Sequence, residues 1–286
     1  MPITVNSNVS SLRAQRTLGN TTQQLNKTYK RLSSGLRIVR AADDAAGLSI
    51  ADSLRSDQRI ASVAIRNAND GISMIAIADG ALAEMANILT RMAELSEQSA
   101  NGTLSSTQRS ALDQEFASLG SEIGRISATT SFNGIALLSG GTTVSLQVGF
   151  NSASTAQISY QAVNGSLSGL GLGGGSTLSF SLNAAGSSDI GQASARSALD
   201  AVRTAIGSLS TLRGSLGASE SRVNVAISNL QVSRENFAAA ESQIRDVDVA
   251  SEAANLTRLN ILQQAGASVL AQANQQPSLA LSLLQG

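Results

Sequence analysis

Apolar side chains recur at alternating intervals of three and four residues through most of this chain. From residue 199 to 244, Leu199, Val202, Ile206, Leu209, Arg213, Leu216, Glu220, Val223, Ile227, Leu230, Arg234, Phe237, Glu241 and Ile244 keep that spacing without a slip. So long a register exceeds what one amphipathic surface helix needs and predicts a single helix packed along its length. At ~1.5 Å per residue it would run roughly 70 Å. Arg213, Glu220, Arg234 and Glu241 interrupt the seam, where charges favour register and partner choice at a cost in stability. A second seam, Leu54, Asp57, Ala61, Ala64, Ala68, Gly71, Ile75, Ala78, Leu82, Met85, Leu89 and Met92, has the same spacing. Its side chains are small in the first half and large in the second, so helices packed on it should approach to varying distances.

Asn101-Gly102 breaks this helix, and Ser105 with Gln108 is a capping-box start for another carrying Leu112, Phe116, Leu119, Ile123 and Ile126. Asn133-Gly134 closes that one with a turn signal. Between about 139 and 190 the period changes to two: Val144, Leu146, Val148 and Phe150 share a face, Ile158 and Tyr160 follow, and Leu178, Phe180 and Leu182 repeat the pattern. Glycine clusters at Gly140-Gly141 and Gly173-Gly174-Gly175 punctuate this tract, which predicts short strands and hairpins. The chain ends carry thinner stripes: Leu18, Leu25, Tyr29, Leu32 and Leu36 near the start, and Leu256, Leu259, Leu262, Val269 and Ala273 near the finish. Such helices gain most of their stability from packing, and two apolar stripes on the ends of one chain mark an assembly surface better than frayed termini. The predicted fold class is mainly α: a long antiparallel helical bundle or coiled coil from both chain halves, with a small β-hairpin region in the middle.

Composition supports the helices and removes most chemistry. The 286 residues include only two prolines, Pro2 and Pro277, so nothing from Ile3 to Gln276 carries the residue most costly to a helix interior. There is no His, Cys or Trp, which excludes Cys/His zinc sites, thiol nucleophiles, Ser-His-Asp triads and disulfides. Lys+Arg and Asp+Glu number 20 each, so no strong basic footprint points to nucleic acid or to an anionic membrane. The most apolar run, Met74 to Ala78, is stopped by Asp79, short of the ~20 apolar residues that cross a bilayer. The start has neither a basic region nor an apolar core, so no cleaved secretory signal is expected there.

Asp43-Asp44 and Asp246-x-Asp248 are the carboxylate clusters worth testing as acid/base or metal sites. Two acids lack the convergent oxygens that a calcium site needs, and a pair at i, i+2 on a helix points apart, so helix-surface or capping roles are expected. Gly169 to Gly175 is glycine-rich, but it lies in the strand tract and lacks a phosphate-binding lysine. No catalytic, metal or cofactor site is expected, and the chain is read as a non-enzyme.

Several runs of residues resemble those of a known family. Arg31-Leu32-Ser33-Ser34-Gly35-Leu36-Arg37 and Ala41-Ala42-Asp43-Asp44-Ala45-Ala46-Gly47-Leu48 are similar to the N-terminal signature of bacterial flagellins. So are Arg66 to Ser73, Gln98 to Thr103, Phe132-Asn133-Gly134 and Leu146-Gln147-Val148-Gly149. Ile244-Arg245-Asp246-Val247-Asp248, Asn255-Leu256-Thr257, Ile261 to Gly266 and Leu270 to Gln275 resemble the C-terminal signature. One departure is Val39-Arg40, where the family usually has small polar residues.

The resemblance implies a structural subunit that polymerises into the extracellular flagellar filament for swimming. It implies inner-tube terminal helices from 1–43 and 243–286, an outer-tube bundle from 44–138 and 191–242, and a short surface hairpin region from 139–190. Leu25, Leu32, Leu36, Leu256, Leu259, Leu262 and Val269 are then the assembly residues of the terminal helices. The implied partners are other copies of the chain, an export chaperone and export apparatus that pass it unfolded, and the filament cap and hook-junction proteins. By motif matching, Arg91, Leu95 and Glu115 correspond to the residues through which an animal innate immune receptor of the Toll-like class senses flagellins, with Thr90 where the family has glutamine. Exposed Ser and Thr of the middle tract, Thr142 and Thr143 among them, match the kind of position that flagellins often O-glycosylate. A hook–filament junction protein and a secreted coiled-coil adhesin are the alternatives; neither nucleic-acid binding nor membrane insertion is expected.

Overall fold

The computed structural model describes residues 7–141, 143–150, 152–174, 177–183 and 188–285; Pro2, Thr142 and Gly175 lie outside them. Five α-helices are found among the described residues: α1 (Val9–Ser34), α2 (Ala45–Ser99), α3 (Ser106–Thr129), α4 (Ser188–Arg245) and α5 (Val249–Gln285). With 55 and 58 residues, α2 and α4 extend for about 80 Å or more at ~1.5 Å per residue. The mainly α expectation holds. The chain divides into two compact units, one of residues 1–58 and 235–286 and one of residues 59–234.

In the 59–234 unit the predicted seams are the core. From Ala61 onward every predicted seam residue of α2 is buried, down to 0% exposure at Leu82, Met85, Leu89 and Met92. They share one cluster with Phe116 and Ile123 of α3 and Val202, Leu209 and Leu216 of α4. A second cluster joins the small-residue half of α2, Ala64 and Ala68, to Val223, Ile227 and Leu230 of α4. At Gly71 an added Cβ would come within 2.3 Å of Leu146 Cδ1, so a bare backbone is what lets the middle tract sit on α2.

Local signals set the helix ends. Ser105 and Gln108 form the predicted reciprocal capping box at the start of α3. Asn133 (φ 48°) and Gly134 (φ 78°) turn the two-residue strands β1 (Ser131–Phe132) and β2 (Ile135–Ala136) into a hairpin, as the left-handed residues of an Asn-Gly turn do.

The middle tract makes two further antiparallel pairs: β3 (Thr143–Gln147) with β4 (Gln157–Gln161), and β5 (Gly173–Gly174) with β6 (Thr177–Leu178). Val144 faces Tyr160 and Leu146 faces Ile158. The predicted alternation stops early: β3 ends at Gln147, Val148 is buried beyond it, and Phe150 is exposed. Within the tract, Tyr160, Leu167, Leu170, Leu172 and Leu182 belong to the main core cluster. At the other end, α5 continues through Pro277 to Gln285, with one backbone donor removed at the proline.

Candidate assembly and recognition surfaces

Within the unit of residues 1–58 and 235–286, α1 and α5 pack side by side. The Asn8 side chain caps α1 by accepting from the Ser11 N–H (2.9 Å) and donates to the Ala273 carbonyl (2.7 Å). The Ser11 hydroxyl donates to Asn274 Oδ1 at 2.7 Å. Gly35, left-handed at φ 71°, ends α1. Beyond it the Arg37 N–H donates to the Arg245 carbonyl (2.6 Å) and the Val247 N–H to the Gly35 carbonyl (3.0 Å). These bonds clasp residues 35–37 against the break between α4 and α5, and they set the two helices antiparallel.

The buried face of α1 is unusual for a helix pair: Ser11, Thr21, Leu25 and Thr28. Thr21 satisfies its hydroxyl on its own helix, donating to the Thr17 carbonyl at 2.9 Å. Of the seven predicted assembly residues, Leu25 and Leu259 are buried, Leu32, Leu36 and Leu256 are half-buried, and Leu262 and Val269 are exposed at 51% and 59%. Leu12, Tyr29 and Ile261 add to that exposed apolar surface.

The predicted receptor residues lie in the other unit and are divided by depth. The Arg91 guanidinium on α2 bridges two carboxylates, Glu115 of α3 at 2.8 Å and Glu94 of its own helix at 3.0 Å. Hydrogen bonding to Glu94 and then Glu115 raises the guanidinium further above its ordinary value. Arg91 and Glu115 thus form one half-exposed ion-paired patch. Leu95 does not join them: it has 0% exposure and belongs to the core cluster.

Residues 5–143 match the family described as the bacterial flagellin N-terminal helical region, and residues 199–284 match the bacterial flagellin C-terminal helical region. The chain is 43% identical to a flagellin of Halalkalibacterium halodurans over 283 residues, covering 98% of this chain and 99% of that one. The chain belongs to the bacterial flagellin family. It is also similar to the flagellar filament 33 kDa core protein of Treponema phagedenis, at 38% identity over 98% of this chain and 99% of that one. Polar flagellin F of Vibrio parahaemolyticus aligns at 35% identity over 378 residues, covering 99% of this flagellin and all of its relative, so this chain is a short form. A crystal structure of Bacillus cereus flagellin matches 58% of this chain and 88% of its own, at 27% identity and a TM-score of 0.48.

This flagellin is therefore a structural subunit of the extracellular flagellar filament and not an enzyme; the junction-protein and adhesin alternatives are not favoured. The acidic pairs have structural work. Asp248 Oδ1 accepts from the Ala250 and Ser251 N–H groups and caps α5. Asp44 accepts from the Gly47 N–H at the start of α2, and Asp43 pairs with Lys27 at 2.7 Å. No group of three potential metal ligands occurs among the described residues. In α2 an 18-residue window of mean hydropathy 1.5 is long and apolar enough to cross a membrane. No unbroken apolar run accounts for it, since Asp79 follows Met74–Ala78; the window's apolar side chains include the buried α2 seam of the bundle.

Leu95 and Arg109 are both buried, each for a different reason. Leu95 follows Met92 by three residues and so continues the α2 seam inward; the periodicity already contained that signal. Arg109 is 1% exposed and sends Nε to the Ser99 carbonyl and Nη2 to the Asn101 carbonyl, both at 3.0 Å. A cation there satisfies acceptors past the negative end of α2. Its position in the first turn of α3 gave no sign of burial.

Proposed function

We propose that the α1–α5 pair is the polymerising element of this flagellin and forms the inner tube of the filament, while residues 44–138 and 191–242 supply its outer tube. The observation that supports this is the apolar surface that one copy leaves uncovered on that pair: Leu12, Tyr29, Ile261, Leu262 and Val269, each 48–61% exposed. Burying such surface against other copies is a driving force that the single chain cannot supply for itself. Residues 1–43 and 243–286 are then the inner-tube segments, and Leu25 and Leu259 hold the pair together while Leu262 and Val269 face neighbours.

Export in an unfolded state suits the same design. An export chaperone would cover the C-terminal apolar residues beforehand, and cap and hook-junction proteins would receive the subunit at the filament ends. Seeded elongation of purified full-length protein tests the proposal. Leu262→Asp is expected to lower elongation at least tenfold at unchanged monomer melting temperature; equal elongation by this variant and by Val269→Asp would refute it.

The Arg91–Glu115 patch favours a second role, contact with an immune receptor of the Toll-like class, because it presents a fixed guanidinium and carboxylate side by side. Leu95 would support that patch from beneath. Arg91→Ala should weaken signalling in receptor-bearing reporter cells, and an equal response would remove this surface from the contact.

A further inference from the structure

Zero net charge conceals an uneven distribution. Helix α1 carries Arg13, Arg16, Lys27, Lys30 and Arg31 and no acidic residue. Lys27, Lys30 and Arg31, spaced i, i+3 and i+4, share a helix face, where like charges disfavour one another. The connection after α1 brings a further cation to the same place. Asp43 Oδ2 accepts from the Val39 and Arg40 N–H groups at 3.3 and 3.2 Å, and its other oxygen takes Lys27 at 2.7 Å. Together these contacts hold the Asp43 carboxyl below its ordinary range, the Lys27 hydrogen bond most of all.

The folded-back loop and α1 enclose a cavity of about 340 Å³ whose lining includes Lys27, Lys30, Arg31, Arg40, Asn26 and Asp43. Four cations there face a single carboxylate, and that carboxylate is already engaged by Lys27. The Arg31 Nε is buried and has no hydrogen-bond partner. Compensation of the negative end of α1 accounts for one cation in its last turn, Arg31. It accounts for neither Lys30 nor Arg40.

We propose that this cavity is a binding site for a multivalent oxyanion, held by Lys30, Arg31 and Arg40, with the Lys27–Asp43 pair bracing its wall. Guanidinium groups suit oxygen anions because their donors form a planar fork, and each such bond is charge-assisted. Two sources offer that chemistry. One is a free phosphate or diphosphate. The other is a carboxylate cluster on a neighbouring copy, such as residues 235–248, which hold Glu235, Glu241, Asp246 and Asp248 against Arg245 alone. The second source rests on the filament reading above; the site itself does not.

The test uses the full-length monomer titrated by calorimetry with inorganic phosphate and with pyrophosphate, at ionic strength held constant with chloride. We expect saturable binding with one ion per chain, and pyrophosphate about tenfold tighter than phosphate because it spans more of the donors. Lys30→Ala and Arg40→Ala should each weaken pyrophosphate at least about fivefold, while Arg16→Ala, on the same helix but outside the cavity, should not. Circular dichroism shows whether each variant keeps its helix content. Absence of saturable binding, or equal binding by the Lys30 and Arg40 variants, overturns the site.

Seeded elongation then separates the sources. If pyrophosphate slows the wild type but not Arg40→Ala, the neighbour's carboxylates occupy the site in the filament. If elongation is unchanged or faster, the free ion is the ligand. Should elongation fail altogether while the monomer binds pyrophosphate, the filament reading fails and the site stands.

Discussion

Among the described residues 39 hydrophobic side chains are buried, and of these Leu25, Ile38, Ala51, Leu259 and Ala273 belong to the unit of residues 1–58 and 235–286. The other 34 lie in residues 59–234, including every member of both core clusters. Exposed large hydrophobics among the described residues run the other way for the size of each unit: eight, from Val9 to Val269, in the first and seven in the larger second. One unit has a closed core of its own; the other is a helix pair sealed by hydroxyls and a backbone clasp, with apolar surface to spare. On the proposed filament role, this division leaves the terminal helices to gain stability from neighbouring copies, as thinly apolar helices gain most of theirs from packing.

Mutations can break that contrast, and the largest effect is expected in the bundle. Leu89→Ala, with no exposure and neighbours from several elements, should cost about 2–5 kcal/mol in denaturant unfolding. Arg109→Leu should cost about 2–3 kcal/mol by the same measurement, because the Ser99 and Asn101 carbonyls lose their donors. Ser105→Ala removes half of the capping box and should cost about 1 kcal/mol.

Arg213→Ala breaks the pair with Asp79 (2.7 Å) that joins α4 to α2, but both side chains are about 40% exposed. The expected loss is under about 1 kcal/mol and should shrink as salt is added. This pair also gives a pH signature. Hydrogen bonding to Arg213 holds the Asp79 carboxyl below its ordinary 3.8, so its contribution is full above that value and lost as pH falls through the lower folded one. Asp43 and Glu122 are lowered as well, by Lys27 and Arg125. Stability should therefore drop on acidification below about pH 4, with the Asp79 share absent in Arg213→Ala.

The smallest effect on the monomer should come from the other unit and would sharpen the contrast most. Leu262→Ala, at an exposed position, should change monomer stability by no more than about 0.5 kcal/mol while slowing seeded elongation. Amide exchange offers the same comparison without mutation: residues 9–34 should exchange faster than residues 74–95. Equal protection would mean that the helix pair is as stable as the bundle.

Periodicity carried most of this architecture because a helix repeats its buried face every three to four residues. The α2 and α4 seams, the Ser105 capping box and the Asn133-Gly134 turn all rest on neighbours within a few positions along the chain. The middle tract was harder to read. Its strands are two to five residues long, and the burial of Leu167, Leu170 and Leu172 depends on partners far away in sequence. The candidate surfaces divide in the same way. The stripes naming Leu25 and Leu262 could be read from spacing, yet which of the two is covered depends on how α1 meets α5.

The sequence by itself determined where helices run, where they stop and which side of each is apolar, since these follow from local geometry and side-chain period. Tertiary structure alone decided that Arg109 lies buried with its guanidinium on the Ser99 and Asn101 carbonyls, and that Arg40 joins three cations of α1 around one cavity. Those outcomes depend on how the chain turns back between one element and the next, which the side-chain period within a single helix does not contain.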